Sequence, residues 1–421
     1  MTRQRLTLAG MWIGAIGAVI FLWLSRQSEE DIEPAMEAPG IPVRGPADRA
    51  PDEERAGALE PLEPGPPTTY RLDRRHSGRS PYPGPPRAIP AWQFETGSRI
   101  TAQPIATADG RIYVGSHDGF FYALDEHGNE RWKYDLRGPV WSTAAVDGEG
   151  NLYVGSDAKV VTSFTRSGDV RWRLDVEDDA DTGIVLGPAV DGSPGRLHFG
   201  AGPDLWAVET DGTVAWRYHA NGKIFSTPAI DDDGTIYFGS QDDHVYAVAP
   251  DGRLRWQYRT GEDVDSSPML SDEGHLYFGS DDHKVHSLDR DGNVRWSTDL
   301  EGYVRAPVAV GSDGSILAGV YGPRPRLVAL SPSDGAIRWF FPVTVADSTE
   351  VGVESGALVD RDGNLYFGAH DDYLYALAPS GDLRFIHGTG GDVDSAPILT
   401  ATGLLVFGSE DGYLHALRIE E

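Results

Sequence analysis

Apolar residues along most of this chain fall in short runs, alternating or nearly continuous, each broken by a polar turn rich in aspartate and glycine. From Ser266 to Asp299, "SSPML" leads through "SDEG" into "HLYFGS", then through "DDHK" into "VHSLD", and through "RDG" into "NVRWSTD". Runs of this kind predict half-buried and buried strands. Asp-Gly between two such runs is a hairpin signal, because a tight turn of the favoured twist needs positive φ, which glycine supplies freely and aspartate tolerates. The unit is therefore a four-stranded antiparallel meander. No 3.6-residue periodicity competes with it inside the repeats.

The meander recurs. Its closing tryptophans are Trp92, Trp132, Trp172, Trp216, Trp256, Trp296 and Trp339, at steps of 40, 40, 44, 40, 40 and 43, and Phe385 takes the next slot. Four-stranded sheets repeated at about this period predict a β-propeller. The C-terminal unit, "LLVFGSEDGYLHALRIEE", stops without a closing tryptophan strand, whereas the Trp92 strand has no unit before it. Placing that strand on the outer edge of the last unit predicts an all-β fold of eight blades, closed by its own N-terminal strand so that no sheet edge is left open. Each closing aromatic is expected to lie across the neighbouring blade, at a cost of about 3 to 5 kcal/mol for truncation to alanine if it is buried.

The unit "ALxxxGxxxW", as in "ALDEHGNERW" (Ala123 to Trp132), resembles the pyrroloquinoline-quinone-like propeller repeat, as do the upstream "LYFGSxDxxLYAL" pattern and the lead-in "DRRHSGRSPYPGPPRAIPAW". The resemblance runs from about Tyr70 to the C-terminus. Only "ALSPSDGAIRW" (Ala329 to Trp339) has the longer spacing usual in quinoproteins. The family includes quinoprotein alcohol dehydrogenases and the propeller lipoprotein of the outer-membrane barrel-assembly machinery. An enzyme of the first kind implies a quinone held under a disulfide of adjacent cysteines, above a calcium bound by Glu, Asn and Asp. This chain has no cysteine, so neither that cofactor nor any other is expected.

Other chemistry is sparse. His117, His244, His283 and His370 recur near the turn between second and third strands, a position read as solvated, and no metal site is expected. "DDDG" (Asp231 to Gly234) and "DRDGN" (Asp360 to Asn364) lack the spacing of an EF-type calcium loop and are read as hairpin turns. No phosphate-binding loop or nucleophile elbow is present. One position is more informative. The first strand of each blade opens with a motif such as "VDSSP", "IFSTP" or "VDSAP", and the resemblance places this strand on the central channel. The variable residues then run Thr101, Trp141, Val185, Phe225, Asp265, Arg305, Glu354 and Asp394, one half apolar and the other charged. Trp141, Phe225, Asp265, Arg305, Glu354 and Asp394 are the candidate funnel site for a small cationic or polar ligand or a peptide end.

The N-terminal portion concerns location. Leu6 to Leu24 carries no charge and, at about 1.5 Å per residue, would cross most of a roughly 30 Å hydrocarbon core; Arg3 and Arg5 precede it, which predicts a cytoplasmic N-terminus. No A-x-A-like cleavage site follows closely, so an uncleaved signal anchor over residues 1–24 is expected. Residues 25–69, rich in Glu, Pro, Ala and Gly, are expected to be a disordered tether, and residues 70–421 the propeller. With 65 acidic against 36 basic residues and a net charge of −29, nucleic acid is excluded as a partner. These features point to a monomeric, membrane-anchored, extracytoplasmic propeller that binds other envelope proteins or peptides without catalysis. The alternatives are a quinoprotein-type oxidoreductase and a small-ligand sensor.

Overall fold

A computed structural model describes residues 43–44, 69–189, 195–344 and 351–419. It contains eight sheets, each with four antiparallel strands, and one sheet gains a short fifth strand. Blade 1 is built from Ile105–Ala106, Ile112–Gly115, Phe120–Leu124 and Glu130–Asp135, and six further blades follow in sequence order. Blade 8 takes its inner three strands from Ile398–Leu399, Leu404–Gly408 and Tyr413–Arg418, and its outer strand from Pro90–Glu95, which pairs antiparallel with Tyr413–Arg418. The ring is thus closed by its N-terminal strand. A two-residue strand, Val43–Arg44, runs parallel to that outer strand.

The tetrad turns behave as hairpins. Gly234 N–H donates to Asp231 O, and the Asp233 carboxylate accepts from Thr235 N–H at 3.0 Å. Asp360 likewise accepts from the N–H groups of Asp362 and Asn364 at 2.9 and 2.8 Å. Their carboxylates satisfy turn amides, a local use that accounts for part of the acidic composition.

Two devices join one blade to the next. On the outside, six of the seven docking indoles donate their N–H to a carbonyl in the outer hairpin of the following blade: Trp92 to Glu126 O, Trp132 to Arg166 O, Trp172 to Thr210 O, Trp216 to Pro250 O, Trp256 to Arg290 O and Trp296 to Pro332 O, at 2.8 to 3.1 Å. The ring lies against a glycine of that hairpin. At Gly252, with φ +85°, an added Cβ would sit 2.9 Å from the Trp216 indole, so the turn needs glycine for both its backbone and its space. Trp92 and Trp296 are buried, but the remaining tryptophans are only half-buried. The truncation cost expected for full burial is therefore too high for most of them. Phe385 occupies the eighth slot, and the reason is the ring closure. Blade 8 has no hairpin between its third and fourth strands, so no turn carbonyl awaits an indole N–H.

On the inside, the second strand of each blade carries a glycine against which the next blade's first strand packs. A Cβ on Gly239 would meet Val264 Cγ1 and O at 2.4 Å, and one on Gly368 would meet Val393 O at 2.1 Å. The Ser and Thr residues of the "S-x-P" motif are buried and stitch blades together: Ser266 donates to Ala306 O, Thr227 N–H donates to Ser267 Oγ, and Ser395 donates to Ala102 O, at 2.9 to 3.0 Å.

A strap precedes the ring. Residues 69–80 cross the far ends of the first strands, opposite to where the variable residues sit. Ile230 N–H donates to Arg74 O, Leu270 N–H to Arg75 O, Val310 N–H to Ser77 O and Val359 N–H to Gly78 O. Thr69 Oγ1 donates to Ile184 O, and the His76 ring to Pro268 O at 2.9 Å. Arg71 and His76, both buried, lie at this crossing, and the Arg71 guanidinium donates to Ala357 O. Arg71, Leu72 and His76 all take positive φ, a strain held by this web of contacts.

The proposed anchor at Leu6–Leu24 and most of the proposed tether lie outside the described residues. Among the described residues, no helix is long and apolar enough to cross a membrane.

Trp216→Ala should lower stability in urea denaturation by about 1.5–3 kcal/mol and Trp216→Phe by about 1 kcal/mol, the share of the indole hydrogen bond. Phe385→Trp should destabilise rather than improve the fold, since its N–H finds no turn carbonyl; a gain in stability there would refute this account of the ring closure.

Candidate functional site

The first strand of each blade enters at a residue whose N–H bonds back to the preceding blade. Val140, Ala180, Val264, Val304 and Val393 donate to Ser116, Ser156, Ser240, Ser280 and Ala369 carbonyls respectively. The residue after each of these is the variable position of the first-strand motif, which the family resemblance sets on the central funnel. Thr101, Trp141, Phe225, Asp265, Arg305, Glu354 and Asp394 each follow the entry residue of their blade. This register corrects blade 3. Val185 lies in the strand Val185–Leu186, fully buried in the blade core, and the funnel position belongs to Asp181. An aspartate-rich entry, "DDADTG", in place of the usual motif hid the equivalence.

A second tier comes from the residue that follows each second strand. It includes His117, Asp157, Gln241, Asp281, Tyr321, His370 and Glu410, each tied by its N–H to the entry segment of its own blade. The reading of the four hairpin histidines as solvated therefore needs correction. His117 and His370 directly follow the second strand and line the funnel, whereas His244 and His283 lie further along the turn. The sequence reading merged these two positions. The strap was not foreseen either, although four arginines between 71 and 79 in so acidic a chain were a signal of it.

The wall is built from contacts between adjacent blades. Arg305 holds Asp281 through Nε at 3.0 Å and Nη2 at 2.7 Å, with its guanidinium over the Tyr303 and Tyr321 rings at 4.9 and 5.4 Å. The Arg305 pKa is raised, first by its hydrogen bonds to Asp281. Arg99 binds Glu410 at 2.9 Å and donates to His117 Nδ1 at 2.8 Å. Burial and then Arg99 push the His117 pKa down to about 4. The Trp141 ring lies tilted against His117, with centroids 3.9 Å apart, and its N–H donates to Asp157 Oδ2 at 3.2 Å. Burial, then the hydrogen bond and charge of Asp157, drive the Asp181 pKa up to about 8. Burial and then Asp281 lift Asp265 to about 6. His370 Nε2 lies 2.7 Å from Asp394 Oδ1 and 3.5 Å from Glu354 Oε2. Burial opposes a charge there, but the two carboxylates prevail and hold its pKa near 11. Trp141 and Phe225, 39% and 40% exposed, are the large apolar side chains that this wall shows to solvent. The predicted apolar half is thus two aromatics with a carboxylate between them in blade order.

The sequence model for outer membrane protein assembly factor BamB matches residues 90–193 and 202–421. The chain belongs to that family. No curated protein matches it closely in sequence. Among solved structures, this BamB-family propeller is similar to BamB from Moraxella catarrhalis, with a TM-score of 0.65 at 15% identity over 79% of this chain and 100% of the other. It is also similar to a quinohemoprotein alcohol dehydrogenase from Comamonas testosteroni, with a TM-score of 0.68 at 14% identity over 86% of this chain and 82% of the other. A europium-containing methanol dehydrogenase gives 0.65 at 14% identity over 82% and 91%. At these identities the likeness is one of fold.

The dehydrogenase neighbours pose the question of a quinone cofactor, and the residues of this BamB-family funnel do not fit one. Pyrroloquinoline quinone is a tricarboxylate. The wall meets it with Asp157, Asp181, Asp265, Asp281, Glu354 and Asp394, while Arg305 and Arg99 are already paired with Asp281 and Glu410. Like charges at close range in a partly desolvated funnel repel.

The raised Asp181 pKa carries a sign. Between about pH 4 and 8 the folded chain holds a proton that the unfolded chain releases, so that stability is complete at low pH and lost as pH rises through about 8. Asp181→Asn should therefore melt close to wild type at about pH 5 and above it at about pH 9, at constant ionic strength. A difference that does not vary with pH would refute the raised Asp181 pKa.

Proposed function

We propose that this protein is a non-catalytic binding module of the cell envelope, one that takes a cationic group of a partner protein into its funnel and so serves as a scaffold in protein assembly. The observation that carries this reading is the succession of Trp141, Asp181 and Phe225 on blades 2, 3 and 4. An aromatic face attracts a cation through its quadrupole, and a cation arriving beside Asp181 favours the ionised form of a carboxyl that otherwise keeps its proton near neutral pH, which together favour a lysine, an arginine or an amino terminus. The Oδ1 atoms of Asp157, Asp181 and Asp265 are buried and have no hydrogen-bond partner within the described chain, so a donor entering the funnel would find unused acceptors. The strap across the opposite end supports a blind cup, which suits gripping better than passage. Family membership alongside an assembly factor supports the scaffolding role. Under this reading Leu6–Leu24 is the anchor that holds the propeller at the outer face of the membrane on the tether of residues 25–69, so that its partners are other envelope proteins.

Titration of the full chain with a short lysine-containing peptide, followed by tryptophan fluorescence, should show saturable and salt-sensitive binding. Trp141→Ala and Asp181→Asn should each weaken it about tenfold, the equivalent of one good cation–π or charged contact, while a glutamate-containing peptide should not bind. Equal binding of both peptides would refute the reading. The quinone with calcium should leave the melting temperature unchanged; a large rise would instead favour the oxidoreductase.

A further inference from the structure

Glu354, His370 and Asp394 meet on the wall between blades 7 and 8, and the way the fold holds them says more than a chance cluster would. One ligand atom from each lies within 4.8 Å of the other two. Their backbones are fixed by the hydrogen bonds that set the blades: His370 N–H donates to Gly352 O at 3.0 Å, Val353 N–H to Val320 O at 3.3 Å, and Val393 N–H to Ala369 O at 3.1 Å. Val353 and Val393, the neighbours of the two carboxylates, are buried. The Tyr321 ring meets the imidazole edge-on at 5.5 Å and limits its rotation. The donors are therefore positioned by rigid sheet rather than by loop.

Two observations point to a ligand. His370 Nε2 and Asp394 Oδ1 are buried atoms 2.7 Å apart, and among the described residues only this trio partners them, with Glu354 at 3.5 Å from the imidazole. The corresponding junction of blades 5 and 6 shows what a self-sufficient arrangement looks like. There the second-tier Asp281 meets the first-tier Arg305, and the fold supplies its own cation. At blades 7 and 8 the second tier supplies an imidazole and the first tier two carboxylates. Metal binding would displace the imidazolium proton, and the two carboxylate charges would then balance one divalent ion.

We propose that Glu354, His370 and Asp394 form a binding site for a divalent first-row transition-metal ion, Zn2+ foremost. An imidazole with two carboxylates suits zinc, whereas calcium and magnesium take oxygen ligands alone. Tetrahedral zinc at about 2.0–2.2 Å from each donor sets those donors roughly 3.3–3.5 Å apart. The Glu354–His370 separation of 3.5 Å meets that spacing, and the His370–Asp394 pair reaches it by a side-chain rotation of less than an ångström. Three protein donors leave a coordination position for water or for a partner's side chain. The site stands on these three residues and does not depend on the cationic-partner reading.

The test is isothermal titration of the chelator-stripped full chain with ZnCl2. One tight equivalent is expected. His370→Ala and Asp394→Asn should each weaken it at least tenfold, while His127→Ala, at an exposed histidine elsewhere on the ring, should leave it unchanged. CoCl2 in place of zinc should produce a visible absorption band that His370→Ala abolishes, and excess CaCl2 should not displace it. Melting in chelator checks that each variant is folded. No saturable zinc binding by the wild-type chain, binding that survives in folded His370→Ala, or displacement by calcium would each overturn the assignment.

Discussion

Everything in this propeller depends on how closely one blade approaches the next at the axis. The second strand of each blade carries a glycine because the neighbour's first strand passes where a Cβ would stand, as at Gly239 against Val264 and Gly368 against Val393. That contact fixes the entry of the first strand to within the tolerance of close packing. The next residue is then aimed at the lumen. Removing the glycine would force the blades apart and with them the wall of the funnel, so the packing rule and the functional geometry are one constraint seen from two sides.

The outer junctions obey a looser rule. An indole spans from one blade to the hairpin of the next and spends its single donor on a turn carbonyl, which makes the tryptophan both spacer and tie. Half exposure weakens each tie, and stability accumulates over the ring instead of residing in one of them. The eighth junction shows that the requirement is chemical: where closure by Pro90–Glu95 removes the hairpin, a phenyl ring replaces the indole. The strap adds a third kind of link, because its carbonyls accept from the first strands of four consecutive blades, 4 to 7. Its arginines lie on an acidic face, where Arg74 and Arg75 both pair with Asp232.

The funnel inherits its character from the same repeat. Two tiers of variable positions, held a few ångströms apart by identical backbone bonds, let neighbouring blades assemble different chemistry. Arg305 and Asp281 neutralise each other, Asp181 keeps a proton beside Asp157, and Glu354 and Asp394 flank His370. Excess carboxylate in a partly desolvated cup disfavours an anionic cofactor and favours cations, whether a side chain of a partner or a metal ion.

The sequence by itself determined the strand order, the number of blades and the way the ring closes, because period, turn chemistry and the docking aromatic are local signals repeated in every unit. It could not place Asp181, since "DDADTG" departs from the motif and only the backbone bond from Ala180 to Ser156 reveals its register. Nor could it separate His370 from His283: both sit near the same turn, and a shift of a few residues decides whether the side chain enters the lumen or stays at the turn. The strap and the meeting of Glu354, His370 and Asp394 were decided by tertiary structure alone. Each joins residues from different blades or from opposite ends of the chain, and proximity of that kind comes from the closure of the ring, which no local pattern records.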